Sequence, residues 1–365
     1  NGVKKRIVVA MSGGVDSSVA ALLLKKQGYE VIGLTMCFSK AQVIEIKNVQ
    51  GRKQGCCGLD NIEDAKIVAH KLGIKHYVLN FSEELKSKVV EDFLCEYLNG
   101  RTPNPCIRCN QYIKFGLLLD RALGLGADFL ATGHYARVEA NPGGKIFLLK
   151  KAKDKKKDQS YFLYRLNQRQ LRHAIFPLGS YTKERVRKIA KAFGLNVADK
   201  PGSQEICFIP GYNYHSFLRE HLKNKIKPGL IKDMSGRVLG RHRGIVFYTL
   251  GQRQGLGVAC GYPAYINKID NLSNAITVGR REECLSSIFS VKDVNFIVPP
   301  IEKKIAAVAK IRYNHQGSPA VIERKDKKVR VIFKKAQFAV TPGQSAVFYK
   351  HDTVLGGGII DEVLE

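Results

Sequence analysis

The sequence predicts an α/β protein, with a doubly wound parallel-sheet domain, a small β-rich central domain and a C-terminal β-barrel. Three observations carry this. Up to about residue 200, short apolar runs alternate with amphipathic helical stretches. After Pro210 the texture changes to glycine-rich segments with short turns, among them Gly229, Gly236, Gly244, Gly251 and Gly257. From about Ser290 the chain again reads as strands. The domains expected from these shifts are residues 1–210, 211–284 and 285–365.

The first element is a strand over Arg6–Met11, followed at once by Ser12-Gly13-Gly14-Val15-Asp16-Ser17 and a helix over Asp16–Gln27. Strand, loop and helix in that order make a phosphate site. Two glycines let the turn bring several backbone N–H groups toward one anion, the serines add hydroxyl donors, and the helix points its positive end at the same place. The loop lacks the lysine of the common G-x-x-x-x-G-K-[ST] pattern, and Asp16 is expected to face a magnesium ion instead. Further strands are expected at Val31–Met36, His76–Asn80 and Phe129–Thr132. Helices are expected at Ile62–Leu72 after an Asn61 cap with Asp64 three residues on, at Glu84–Leu98, and at Thr182–Phe193 ending at Gly194. Ligands bind at the carboxyl ends of such strands, where Ser12, Met36 and Gly133 fall. In the last third, partial alternation around Ala306 precedes strands at Lys328–Phe333 and Ser345–Tyr349, with turns at Pro342-Gly343 and Gly356-Gly357-Gly358.

Charge narrows the partners. Lys plus Arg number 60 against 32 Asp plus Glu, a net charge of +28 that favours a polyanion, with nucleic acid first. A solvated cationic surface is the plain alternative. The tract Lys150–Asp158 reads as a solvated loop that could contact RNA phosphates. No apolar run approaches the roughly 20 residues needed to span a bilayer, and no secretory signal is visible, so a cytoplasmic protein is expected. Nine cysteines are an odd number in a long chain with its own core, which favours reactive or metal-binding thiols over a disulfide framework. Cys106 and Cys109 stand three apart at the start of a helical stretch, where the helix N-terminus and Arg108 favour thiolate. Their spacing permits a redox pair, half a zinc site or part of an iron-sulfur site. Cys56-Cys57 read as structural or incidental, and Cys207 alone would read as a buried apolar cysteine.

Together, Ser12–Ser17, Thr102-Pro103-Asn104-Pro105-Cys106, Cys109-Asn110, Ala131–Arg137, Lys157–Tyr161 and Ser203–Cys207 resemble the bacterial tRNA-specific 2-thiouridylases. Tyr248–Arg253, Arg312-Tyr313 and Pro342-Gly343-Gln344 extend the resemblance over nearly the whole chain. The phosphate loop itself resembles that of the PP-loop ATP pyrophosphatases, which cleave ATP between the α and β phosphates and adenylate an oxygen. The resemblance implies a catalytic PP-loop domain and two further domains that hold the tRNA anticodon arm. The implied reaction replaces the C2 oxygen of the wobble uridine in glutamate, glutamine and lysine tRNAs by sulfur.

Carried over by position, Ala10, Met11, Ser12, Gly13, Gly14, Val15, Asp16 and Ser17 would bind the ATP phosphates, with Met36 and Gly133 near the adenosine. Cys207 would carry a persulfide from a cysteine desulfurase or a sulfur-relay protein. Cys109 would be its partner nucleophile, leaving a transient Cys109–Cys207 disulfide. Asn104, Pro105 and Cys106 would border the target base, and His134, Lys157, Asp158, Gln159, Arg312, Tyr313 and Gln344 would contact tRNA. Well-studied members of the family carry Asp where this chain has Cys106, whose thiol, with an ordinary pKa of about 8.5, is a weaker neutral-pH base. That departure opens a second route, in which Cys106, Cys109 and Cys207 hold an iron-sulfur cluster. Another PP-loop adenylating enzyme such as a lysidine synthetase, or a non-catalytic RNA-binding protein, are the other readings.

Overall fold

The computed structural model describes residues 4–38, 59–202, 206–209, 213–325 and 328–364. Cys56-Cys57 and Ser203-Gln204-Glu205 lie outside the described residues. The chain forms two compact units that interleave along the sequence. The first comprises residues 1–89, 106–213 and 352–354, and the second residues 90–105, 214–351 and 355–365.

The first unit is built on a five-stranded parallel sheet, in the order β3-β2-β1-β4-β7, from β1 (Arg6–Ala10), β2 (Glu30–Cys37), β3 (Lys75–Asn80), β4 (Phe129–Ala131) and β7 (Ala174–Ile175). Register runs Ile7 to Val31 and Val9 to Gly33 on one side of β1, and Ile7 to Phe129 on the other. Ile7, Val8 and Val9 are all fully buried. Successive side chains of a strand point to opposite faces, so both faces of the sheet are covered, and the continuous apolar run is what such a strand requires. Helix α1 (Val15–Lys26) packs Val15, Val19 and Leu22 into the same core as Val186 and Ala190. An antiparallel hairpin, β5 (Ala136–Ala140) and β6 (Phe147–Lys151), follows β4.

Helix α2 covers Leu59–Leu72, which corrects one expectation: Asn61 lies inside the helix and is not its cap. The stretch expected as Glu84–Leu98 is helical throughout, but as α3 (Ser82–Leu85), a π-helical segment Lys86–Val90 and α4 (Glu91–Leu98). Helices α5 (Pro105–Arg108), α6 (Leu119–Gly124) and α7 (Gln168–Arg172) precede α8 (Lys183–Ala192). Thr182 caps α8 by accepting the N–H of Arg185 at 3.3 Å, and Gly194 follows its end at φ +58°.

In the second unit, α9 (Tyr214–Leu222) meets α4 through Phe93 against Phe217 and Tyr97 stacked on Tyr214. A four-stranded sheet, in the order β10-β11-β8-β9, is formed by β8 (Gly229–Lys232), β9 (Val238–His242), β10 (Tyr265–Asp270) and β11 (Ala275–Gly279). Six strands then close a barrel: β12 (Leu285–Phe296), β13 (Lys304–Lys310), β14 (Ser318–Lys325), β15 (Lys328–Phe338), β16 (Ser345–Lys350) and β17 (Thr353–Val363), with β12 pairing both β15 and β17. Its core includes Phe289, Val291, Ile322, Val331, Phe348 and Ile360.

Gly356-Gly357-Gly358, expected as a turn, lie inside β17. The glycines are there because β17 runs against β12 where the register shifts between Lys292 and Asn295. A Cβ at Gly356 would enter the Asn295 carbonyl, and one at Gly358 would stand 2.5 Å from Val291 Cγ1. Among the described residues no helix is long and apolar enough to cross a membrane.

Candidate active site

Strand β1 ends at Ala10, and Met11 is buried with its carbonyl accepting the Thr35 hydroxyl at 2.8 Å. The loop then turns at Gly13, whose φ of +68° favours glycine and whose missing side chain lets the Asn61 backbone approach. Gly14 precedes α1 in extended conformation and provides no side-chain cap. The serines tie the loop to the helix instead: Ser12 N–H reaches Ser17 Oγ at 3.1 Å, and Ser17 and Ser18 hydroxyls donate to the Gly14 carbonyl at 3.2 and 2.9 Å. A helix start without a capping side chain, behind a glycine turn, is a site for an anion.

The segment after β4 closes on this loop. A Cβ on Gly133 would stand 2.7 Å from Ser17 N and 2.8 Å from Asp16 C, so only glycine allows the approach. Tyr135 then donates its hydroxyl to Asp16 Oδ1 at 2.7 Å. Burial and the Asp16 carboxylate raise the Tyr135 pKa, keeping the phenol protonated as that bond requires. Lys183, at the start of α8, grips both Asp16 oxygens at 2.7 and 2.6 Å. Lys200 braces the other side of the turn, donating to the Gly13 carbonyl at 3.2 Å and to Asn61 and Asp64, each at 2.5 Å. The sequence reading named none of Tyr135, Lys183, Asn61, Asp64 or Lys200 as site residues. The Thr182 cap marks where α8 begins, but no local pattern says where its first lysine reaches.

Met36 lies near the end of β2, paired in register with Leu79. Pro105 and Cys106 open α5, and Cys109 begins a π-helical segment, Cys109–Leu118. Such segments are rare and frequently mark functional sites. Cys109 is 6% exposed, whereas Cys106 and Cys207 are half-buried. All three belong to the first unit. Among the described residues no three His, Cys, Asp or Glu side chains are grouped to hold a metal ion.

The residues expected to meet tRNA divide. His134 bonds Thr132 Oγ1 through Nδ1 at 2.7 Å and packs against Phe115 and Phe176; burial, aided by Lys114, holds its pKa well below the usual imidazole value. Asp158 accepts from Ala152 N–H, Ser160 N–H and the Ser160 hydroxyl, and Gln159 exchanges hydrogen bonds with the Tyr135 backbone, which fixes the turn beneath the exposed Lys157. In the second unit, Gln344 donates its amide to the Thr102 carbonyl at 2.9 Å, and Thr102 N–H donates to the Pro342 carbonyl. This anchors the segment that leads through Asn104 to Cys106. Arg312 donates to the Phe338 and Ala339 carbonyls at 3.0 and 3.3 Å, and Tyr313 lies 5.8 Å from the Lys310 ammonium.

Comparison with known proteins matches residues 5–211 to a tRNA methyl transferase HUP domain, 215–280 to a tRNA methyl transferase PRC-barrel domain and 286–360 to an aminomethyltransferase beta-barrel domain. The chain is 48% identical over 363 residues to the tRNA-specific 2-thiouridylase MnmA of Clostridium perfringens, covering 99% of each chain. It is 50% identical to the protein of that name from Acetivibrio thermocellus, covering 98% of this chain and 99% of that one. It is 51% identical to tRNA-specific 2-thiouridylase MnmA 1 of Caldanaerobacter subterraneus subsp. tengcongensis, covering 99% of each.

Proposed function

Because the chain belongs to the tRNA-specific 2-thiouridylase family, a family of tRNA sulfurtransferases, we propose that it replaces the C2 oxygen of the wobble uridine of glutamate, glutamine and lysine tRNAs by sulfur. The observation that carries this reading is the anion cradle of Ser12–Ser17, closed by Gly133, in the same compact unit as Cys109 and Cys207. Although the matched domains are described by methyl transfer, a phosphate loop and two thiols are the equipment for adenylation and sulfur transfer.

Sulfur cannot displace a carbonyl oxygen directly, since oxide is too poor a leaving group. The uridine O2 attacks the α-phosphorus of ATP, pyrophosphate leaves, and C2 then carries AMP as its leaving group. The loop amides and the start of α1 bind the phosphates. Asp16 is the acid that would hold a magnesium ion, which when bound neutralises part of the triphosphate charge.

A cysteine desulfurase or a sulfur-relay protein loads Cys207 as a persulfide. In one order, its terminal sulfur attacks C2 and expels AMP, after which Cys109 attacks the Cys207 sulfur and releases the thiolated uridine. In the other, Cys109 first releases hydrosulfide, which attacks C2. Both leave a Cys109–Cys207 disulfide that an external dithiol reduces. The persulfide route is favoured over a cluster because it needs only the Cys109 and Cys207 thiols, and C-x-x-C is also the spacing of an ordinary redox pair. Asn104, Pro105 and Cys106 border the base, Lys157 offers a charge to the tRNA backbone, and Gln344 holds the Thr102 segment in register. The setting is the cytoplasm, where tRNA and thiol reductants meet.

The test is thiolation of unmodified glutamate tRNA with Mg·ATP and a desulfurase, read by mass spectrometry of nucleosides. One AMP and one pyrophosphate should appear for each 2-thiouridine. Pyrophosphate release without thiolation in all conditions would return the choice to another adenylating enzyme.

A further inference from the structure

The geometry points to Lys183 as the phosphate-binding cation of this loop: its ammonium shares the Asp16 carboxylate in the structure and exchanges it for the β- and γ-phosphates when ATP binds. This rests on the reading of the loop as an ATP site. A triphosphate brings several negative charges to the start of α1, and Ser12–Ser17 contains no cation to meet them. Lys183 fills that need from 167 residues away.

Four features make it suited to the exchange. Its Nζ lies on both oxygens of Asp16, in the first turn of the helix whose uncapped end receives the anion. Its backbone is fixed, because Lys183 N–H donates to Asp154 Oδ2 at 2.9 Å, so the side chain swings from a set point. That side chain is only 15% exposed, so the charge is weakly screened and a polyanion is a stronger partner than one carboxylate. Finally, Tyr135 remains bonded to Asp16 Oδ1, so the carboxylate keeps a donor after the ammonium leaves. Lys200, also close to the loop, is held by Asp64, Asn61 and the Gly13 carbonyl, which makes it a brace. With ATP bound, Lys183 would bear the charge that builds on the departing pyrophosphate as the uridine oxygen attacks.

Binding of Mg·ATP, Mg·pyrophosphate and AMP to the full-length wild type, Lys183→Met and Lys183→Arg, measured by calorimetry, tests this. Loss of a charge-assisted contact should weaken ATP and pyrophosphate by about 10- to 100-fold in Lys183→Met, while AMP changes less than about threefold. Lys183→Arg should recover most of the affinity. Unchanged ATP binding in Lys183→Met overturns the proposal, and so does equal weakening of ATP and AMP, which would make Lys183 a brace like Lys200. Retained AMP binding shows that the variant is folded, and Lys183→Arg gives the comparison if it is not. A wild type that binds no ATP would overturn both the proposal and the reading beneath it.

Discussion

Replacing Gly133 by alanine puts a methyl carbon 2.7 Å from the Ser17 nitrogen, 2.8 Å from the Asp16 carbonyl carbon and 3.0 Å from Asp16 Cβ. Two of these neighbours are backbone, so no side-chain rotation relieves the clash. Ordinary contact begins at 3.4 Å, leaving a shortfall of about 0.7 Å that the loop or the Gly133 segment must supply by retreating. Forced overpacking of this kind costs about 1–3 kcal/mol, which lowers the Tm by several degrees for a unit of this size. The functional cost is larger than the stability cost. A displacement approaching 1 Å at a positioned reactant removes about 100-fold in rate, so kcat/KM for ATP should fall by about 10- to 100-fold. Differential scanning fluorimetry and pyrophosphate release measure the two effects, with Gly124→Ala as the control, because nothing stands within 4 Å of a Cβ there. A Gly133→Ala protein with the wild-type Tm and ATP kinetics would refute the packing argument.

Other predictions follow from the same geometry. Gln344→Glu removes the donor to the Thr102 carbonyl and places a carboxylate against it, so turnover should fall by more than tRNA affinity; a gel-shift titration beside a thiolation rate separates the two. Gly356→Ala should destabilise the barrel by about 2–4 kcal/mol in denaturant titration, because the added carbon meets the Asn295 backbone. Burial holds His76, His134, His242 and His315 below the ordinary imidazole pKa, so the unfolded chain binds protons that the folded one refuses. Their contribution to stability is complete above about pH 6.5 and is lost as pH falls below it; the Tm should drop between pH 7.5 and 5.5, and a flat or rising Tm would contradict this.

Much of the first unit was legible because its signals are local. Apolar runs bounded by glycine and Thr182 located β1, β2, β3, β4 and α8 to within a residue or two. Gly356-Gly357-Gly358 misled because turn chemistry and close strand contact both call for glycine, and only the partner strand distinguishes them. Asn61 misled in the same way, as a good capping residue whose actual work is done by its backbone against Gly13 and its side chain on Lys200. The loop motif located the anion site, but Lys183 and Lys200 stand 167 and 187 residues from their partners, and single-sequence patterns carry no contact information over that distance. The π-helical start at Cys109 was likewise invisible, since its hydrogen-bond shift leaves no mark on apolar spacing over so short a run. Asp158 and Gln159 are expected by resemblance to contact tRNA, and what spacing alone does not reveal is that their side chains also bond within the turn around Tyr135 and Ser160.

The most direct test of the account is a single-turnover experiment. The protein is loaded by a desulfurase, freed of the donor, mixed with Mg·ATP and unmodified glutamate tRNA, and its peptides and nucleosides are read by mass spectrometry. The account predicts one extra sulfur atom on the Cys207 peptide before mixing, then one 2-thiouridine for each persulfide consumed and a Cys109–Cys207 disulfide, with Cys207→Ala inactive. Thiolation that persists in Cys207→Ala with free sulfide, and without that disulfide, would contradict it.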